Sequence, residues 1–297
     1  MKVLLVNDYG VLAGGAERIT VDLRDGLRAR GHDARLLASS AGAPAQASLA
    51  DYTCRGSNGT GRLLLQAWNP WAVSRLRQVL AEFQPDIVHV RMFLTQLSPA
   101  VLKWLPPDRS LLHIGNHQTI CPLNSRVLPD GSRCGVRAGV ECHRQRCVST
   151  FGLGRTLLQL RTWRRHSPVF RCVVANSHAI AATLRENGVP VDTVIPNGTR
   201  VVPPRPSLTG PPTVVFAGRL VPQKGLDLLV QAMAIVVTHQ PDARLVIVGD
   251  GPDRARIEEL IGMLKLRDRV QWRGHIPHPA LAEALGAQLT VPPSGYA

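Results

Sequence analysis

Apolar positions along this chain fall in short runs separated by amphipathic stretches, and the two alternate from end to end. Residues 3–6, Val-Leu-Leu-Val, form an unbroken apolar run of the kind a strand buried on both faces requires. Residues 17–30 follow with Ile19, Leu23 and Leu27 on one helical face and charges opposite. Gly31 is placed to stop that helix. The same logic predicts strands at 35–38, 86–90, 111–114 and 172–175, with helices at 71–83 and 179–186. Five prolines then fall within residues 201–212, a density that excludes helix and central strand and reads as a linker. A second series begins beyond it: strand 213–217, helix 226–239, strand 243–248, helix 252–264 and strand 269–272. A short helix at 279–285 and a strand opening at 288–291 complete it. Repeated strand–helix–strand order predicts parallel sheets with helices on both faces. The expected class is therefore α/β, with two Rossmann-like parallel-sheet domains facing a cleft. They span 1–200 and 213–297, and the first carries a Cys- and Arg-rich insertion at about 118–150.

Length and charge narrow the class. A chain of 297 residues suits two domains of roughly 150 residues each. No apolar run approaches the ~18–20 residues of a membrane-spanning helix. The start turns polar at Asn7-Asp8, too soon for a secretory signal. Six cysteines make no disulfide scaffold, so a reducing cytoplasm is the expected location. Lys and Arg number 35 against 21 Asp and Glu, a net charge of +14 that favours anionic partners. Ten arginines lie in residues 126–171, with only Asp130 and Glu141 as acids. A solvated Arg-rich surface accounts for them. With Leu157, Leu158, Leu160 and Trp163 interleaved, the segment also fits an anionic membrane surface at the inner face of the plasma membrane. A nucleic-acid-binding protein is the competing class. No nucleic-acid module is present, and at 4% aromatics stacking platforms are scarce, so no nucleic-acid partner is expected.

Two loops carry candidate chemistry. Gly14-Gly15 separates the first strand from the first helix. It serves either as a plain tight turn or as a loop that lets a phosphate approach a helix N-terminus. Gly218-Arg219-Leu220-Val221-Pro222-Gln223-Lys224-Gly225 follows an apolar strand and precedes a helix. Arg219 and Lys224 are either two surface cations or a pair aimed at one diphosphate. Two fixed cations can offset a leaving diphosphate's charge without a metal.

An ordered set of motifs resembles a known family. Gly-Gly-Ala-Glu-Arg near the start, Pro196-Asn197-Gly198, Phe216-Ala217-Gly218-Arg219 with Lys224-Gly225, and Val248-Gly249-Asp250-Gly251-Pro252 together resemble the retaining glycosyltransferases of family 4. The resemblance covers nearly the whole chain and implies the GT-B fold. It implies that Gly14 and Gly15 form the glycine loop near donor and acceptor, and that Arg219 and Lys224 grip the donor diphosphate. It implies that the backbone of Arg273-Gly274-His275-Ile276 reads the nucleotide base, and that His117 lies near the transferred sugar. The family's histidine is usually followed by Asp; here Gln118 follows. By itself, a histidine at a strand end is also a common structural hydrogen-bonder. No cofactor is expected for catalysis. The family's two glutamates, eight positions apart after a Pro-Ser strand end, would come next after Ala297, so the second domain is expected to be incomplete.

Cys121, Cys134, Cys142 and Cys147 form a further cluster, separated by twelve, seven and four residues. A subset of the family resembles this, with Cys-Pro after the histidine. Four soft ligands could hold a structural zinc. Without a C-x-x-C pair, free thiols or redox-sensitive disulfides fit as well. The function expected from these residues is transfer of a sugar from a nucleotide-sugar donor to a glycan or lipid-linked acceptor in envelope or polysaccharide synthesis, with retention. A sugar-nucleotide-binding remnant without turnover is the alternative.

Overall fold

Val3, Leu4, Leu5 and Val6 are all buried, and their strand, Lys2–Tyr9 (β1), is the third strand of a seven-stranded sheet, with neighbours on both edges. Both its faces are covered. Leu4 and Val6 join the main core, whereas Leu5 packs with Val21, Leu36 and Ala38 on the other side. That is why the run lacks alternation. The computed structural model describes residues 1–12, 14–42, 48–59, 61–198, 210–274, 276 and 289–291. The chain divides into two units, Met1–Thr199 and Arg200–Ala297. No helix among the described residues is long and apolar enough to cross a membrane.

In the first unit β1 is followed by helix Gly15–Ala29 (α1), strands Asp33–Ser39 (β2) and Tyr52–Cys54 (β3), and helices Arg62–Ala67 (α2) and Pro70–Phe83 (α3). Strands Ile87–Val90 (β4) and Ser110–Ile114 (β5), helices Glu141–Arg144 (α4) and Thr150–His166 (α5), strand Cys172–Ala175 (β6), helix His178–Glu186 (α6) and strand Thr193–Val194 (β7) complete it. All pairings are parallel, in the order β3-β2-β1-β4-β5-β6-β7. The chain runs outward from β1 to β3, then returns to β4 on the other side of β1. The loops after β1 and β4 therefore diverge, which opens a crevice at the strands' carboxyl ends.

Local chemistry sets the helix starts. Asn69 caps α3, its Oδ1 accepting from the Ala72 N–H at 3.1 Å, and Pro70 occupies the first helical position. Ser149 and Ser177 cap α5 and α6 in the same way. Gly31, at φ +80°, ends α1 as expected, its N–H donating to the Arg28 carbonyl at 2.9 Å. The pattern did not predict β3, α2, α4, α5 or β7.

The second unit places strand Thr213–Ala217 (β8), helix Leu226–His239 (α7), strand Arg244–Val248 (β9), helix Arg254–Met263 (α8), strand Val270–Gly274 (β10) and strand Leu289–Val291 (β11) in the parallel order β10-β9-β8-β11. Its switch point lies between β8 and β11, so the loop after β8 leaves from the crevice. The expected helix at 279–285 and most of the linker lie outside the described residues. A Cβ on Gly249, at φ +134°, would sit 1.9 Å from the Gly218 carbonyl oxygen, and one on Gly251 would sit 2.3 Å from that of Leu220. The loops after β8 and β9 therefore touch backbone to backbone.

Gly249→Ala should destabilise this sheet by about 3 kcal/mol or more, because strain at positive φ adds to a backbone collision. Amide hydrogen exchange should quicken across β8 and β9 and stay unchanged across β1 and β2.

Candidate functional site

β1 ends in a buried acid. Asp8 is fully buried, and its carboxylate accepts from the N–H groups of Thr95 at 2.8 Å, Gln96 at 2.7 Å and Leu97 at 2.9 Å. Burial raises its pKa above the usual carboxylate range, and the three N–H donors pull against that rise. Gln96 extends the bonding. Its Oε1 accepts from the Ser57 N–H at 2.8 Å and its carbonyl from Asn69 Nδ2 at 2.8 Å. The Asn69 N–H in turn donates to Ser98 Oγ at 3.0 Å. The chain after β4 and the chain before α3 are thus fixed to the end of β1.

Beside this network stands a buried cation. Arg91, directly after β4, is 8% exposed and has no carboxylate partner among the described residues. Its Nη1 donates to His113 Nδ1 at 3.3 Å and its Nη2 to Asn197 Oδ1 at 3.2 Å. Burial lowers the guanidinium pKa to about 10. His113 stacks on His89 at 5.6 Å. Burial, and then the Arg91 charge, lower the two imidazoles to about 4 and about 3, so both are neutral at pH 7. Gly115 leaves room here, since a Cβ would meet Asn176 Nδ2 at 3.2 Å. Arg91, Gly115, Asn176 and Asn197 thus come from the carboxyl ends of four successive strands. Sequence reasoning missed Asp8 and Arg91. The available signal was polar side chains closing otherwise apolar strands.

The expected residues of this unit lie at the same end. Gly14 caps α1 in extended backbone, where a Cβ would meet Glu17 Oε2 at 3.2 Å, and a Cβ on Gly15 would touch nothing within 4 Å. Torsion requires glycine at neither position, and the space is open at Gly15. His117 follows β5 and is half-buried; burial first and the Arg126 charge second lower its pKa, so it too is neutral at pH 7. Its N–H donates to Asn124 Oδ1 at 2.7 Å, and its carbonyl accepts from the Cys121 N–H at 2.7 Å. Gln118 Nε2 donates to Thr95 Oγ1 at 3.1 Å, which joins it to the loop held by Asp8.

In the second unit Arg219 leaves the end of β8 exposed, and Lys224 closes the single turn Pro222–Lys224 before Gly225, which takes φ +63° and caps α7. One βα loop at the switch point carries both cations. The neighbouring loops hold its backbone: the Gly218 N–H donates to the Val248 carbonyl at 2.9 Å and the Leu220 N–H to that of Asp250 at 3.0 Å. Gly274 ends β10, and its carbonyl accepts from the Gly249 N–H at 2.7 Å. Ile276 is half-buried; His275 lies outside the described residues.

One reading of the Cys- and Arg-rich segment needs revision. Trp163 is not a surface residue. It is 4% exposed and packs against Phe93 at 5.7 Å and Phe170 at 6.3 Å, so of the interleaved apolar side chains only Leu157 and Leu158 are exposed. Burial first, and then electrostatic interaction with Cys142, Cys134 and Cys121, raises the Cys147 thiol above its usual range. Yet among the described residues no three of His, Cys, Asp and Glu are grouped to hold a metal ion, and all four thiols are free.

Comparison with known proteins adds to this geometry. The model described as Glycosyltransferase Family 4 matches residues 13–201, and that described as Glycosyl transferases group 1 matches residues 202–296. The alpha-D-kanosaminyltransferase of Streptomyces kanamyceticus is 37% identical over 86 residues, 29% of this chain and 22% of that protein. The match thus spans about a fifth of that relative. The sucrose-phosphate synthase of Thermosynechococcus elongatus superposes at TM-score 0.69 with 22% identity, covering 100% of this chain and 76% of that one. The Anabaena protein HepE, solved in complex with UDP, superposes at 0.62 with 18% identity, covering 100% and 75%. The fold is of the GT-B type, with two Rossmann-like parallel-sheet domains.

The buried histidines predict a pH dependence. Unfolding returns His89 and His113 to an ordinary pKa near 6.5 from about 3 and about 4. Below pH 6.5 the unfolded chain therefore binds protons that the folded chain refuses, and stability falls with pH. Urea titrations should show a loss of about 2–4 kcal/mol between pH 7 and pH 5, and H89F/H113Q should flatten it.

Proposed function

Because the chain belongs to glycosyltransferase family 4, whose model matches residues 13–201, we propose that it transfers a glycosyl group from a nucleotide-sugar donor to a hydroxyl of a glycan or lipid-linked envelope precursor, with retention at the anomeric carbon. The observation that carries this is the loop after β8, where Arg219 and Lys224 meet the start of α7 at a switch point. One loop carries three sources of positive potential: a guanidinium, an ammonium and the helix N-terminus. A nucleoside diphosphate is the ligand that matches them.

In the transfer, the bond between the anomeric carbon and the diphosphate oxygen breaks, and the electron pair leaves with the diphosphate. Arg219 and Lys224 offset the charge that develops on it. The acceptor hydroxyl adds on the face the diphosphate leaves, which gives retention. Its proton passes to the departing phosphate oxygen, the base nearest that face. Gly15, next to Gly14, leaves open the space at the start of α1, where a sugar or phosphate approaches. His117, neutral at working pH, contributes a hydrogen bond near the transferred sugar and carries no charge into the step.

Arg219→Ala and Lys224→Ala should each weaken UDP binding about tenfold or more, since a charge-assisted hydrogen bond contributes about 1.5–3 kcal/mol. Circular dichroism should be unchanged. Calorimetry with UDP checks this, and equal affinity of both variants and the parent would remove the proposal. Binding should also persist in EDTA, because the two cations act in place of a metal.

A further inference from the structure

Among the described residues, the first unit exposes a group of large apolar side chains on α2, the start of α3 and α5. Leu63 and Leu64 of α2 are exposed, Leu64 at 77%. Trp68 and Trp71, at the start of α3, are also exposed, Trp68 at 54%. On α5 the exposed residues are Phe151 at 83%, Leu157 and Leu158. These belong to one surface. Gln66 of α2 accepts from Arg155 Nη1 at its Oε1 and from Gln159 Nε2 at its carbonyl, both at 2.8 Å, so α2 lies directly on α5.

The surface is held outward by design of the backbone beneath it. Asn69, between the two tryptophans, is fully buried and makes bonds to Arg55, Gln96, Ser98 and Ala72. Trp68 and Trp71 therefore face outward from a pinned chain. Single exposed apolar side chains are normal on protein surfaces, but a cluster of this size marks an interaction face.

Charge selects the partner. Residues 55–81 and 142–185, which build this surface, contain no Asp or Glu. Arg62, Arg161 and Arg165 are exposed, and the Arg55 guanidinium lies 4.5 Å from the centre of the Trp71 ring. Phe151, Leu158, Arg161 and Arg165 fall at spacings of seven, three and four, on one helical face with the apolar end first. Tryptophan, leucine and phenylalanine interleaved with arginine match the level where acyl chains meet headgroups. The position fits as well. α3 and α5 each connect parallel strands and so run antiparallel to them, which puts their first residues at the carboxyl end of the sheet, the end from which Arg91 and His117 also leave.

We propose that the α2–α5 face docks this protein peripherally on an anionic lipid bilayer. Leu64, Trp68, Trp71 and Phe151 enter the headgroup region, and Arg55, Arg62, Arg161 and Arg165 meet lipid phosphates. This differs from an anchor made of residues 126–171 alone, because half of the surface comes from residues 62–71. It does not depend on the donor site and stands or falls separately from it.

Vesicle co-sedimentation tests it, with phosphatidylcholine alone and with about a third phosphatidylglycerol, at low salt and about 0.5 M salt. The protein should bind the anionic vesicles, bind neutral ones at least about tenfold less, and lose binding as salt rises. L64S/W68S/F151S should weaken binding about tenfold or more at low salt while UDP affinity is kept. R62Q/R161Q/R165Q should remove the preference for anionic lipid. Equal binding to both vesicles, or full binding by the apolar triple variant, overturns the proposal. So does a concentration-dependent dimer of the parent that the triple variant abolishes, since the face would then join two copies. Should the triple variant fail to fold, brominated phosphatidylglycerol vesicles give the answer on the parent protein: tryptophan fluorescence should be quenched on binding, and unquenched fluorescence overturns the docking.

Discussion

The first unit is organised around a buried acid with no ion-pair partner among the described residues. Asp8 sits at the end of β1, removed from water, and three backbone N–H groups take the place of a counter-ion. Those groups belong to residues 95–97, so the segment after β4 can follow only one path. Gln96 and Asn69 carry the constraint onward to Ser57, Arg55 and Ser98. Gln118 joins through Thr95. The candidate histidine and the exposed tryptophans both stand on the bonding that this one carboxylate begins. Removing its acceptor oxygens would leave several buried donors unmatched at once, each a cost of about 1–3 kcal/mol.

The second unit reaches the same end by a different route. Its carboxyl-end loops are held by main chain against main chain, with glycine at the two closest approaches. Arg219 and Lys224 are carried on a loop whose backbone is bonded to its neighbours, so the loop does not have to order before a ligand binds. One unit relies on a buried ion and amide side chains, the other on absent side chains.

Much of this was legible in the chain. The apolar runs at β1, β6 and β8 have no alternation because both faces are covered, and α7 falls where its period places it. Cations in the loop after β8 were equally readable, since a turn between strand and helix is local chemistry. What was not legible depends on contacts far apart in sequence. α2 is six residues long and its apolar side chains face out, so no amphipathic period announces it. α5 mixes arginine with leucine on every side, and only packing against Phe93 and Phe170 shows that Trp163 points inward. Arg91 gains its character from Asn197, more than a hundred positions away. The four cysteines were visible as a cluster, but spacing could not say how their sulfurs would be arranged.

Parallel topology also sorts the protein's rims. Every loop discussed as carrying chemistry leaves a strand at its carboxyl end. The opposite rim of the first unit is made of return turns: His32 after α1, Gln84 in left-handed backbone after α3, and Pro107–Arg109 before β5. A fluorophore, an affinity tag or a surface tether installed on those turns would be separated from both the glycine loop and the tryptophans by the length of the strands. That rim is the handle by which the molecule can be immobilised or labelled with its working end left facing solution.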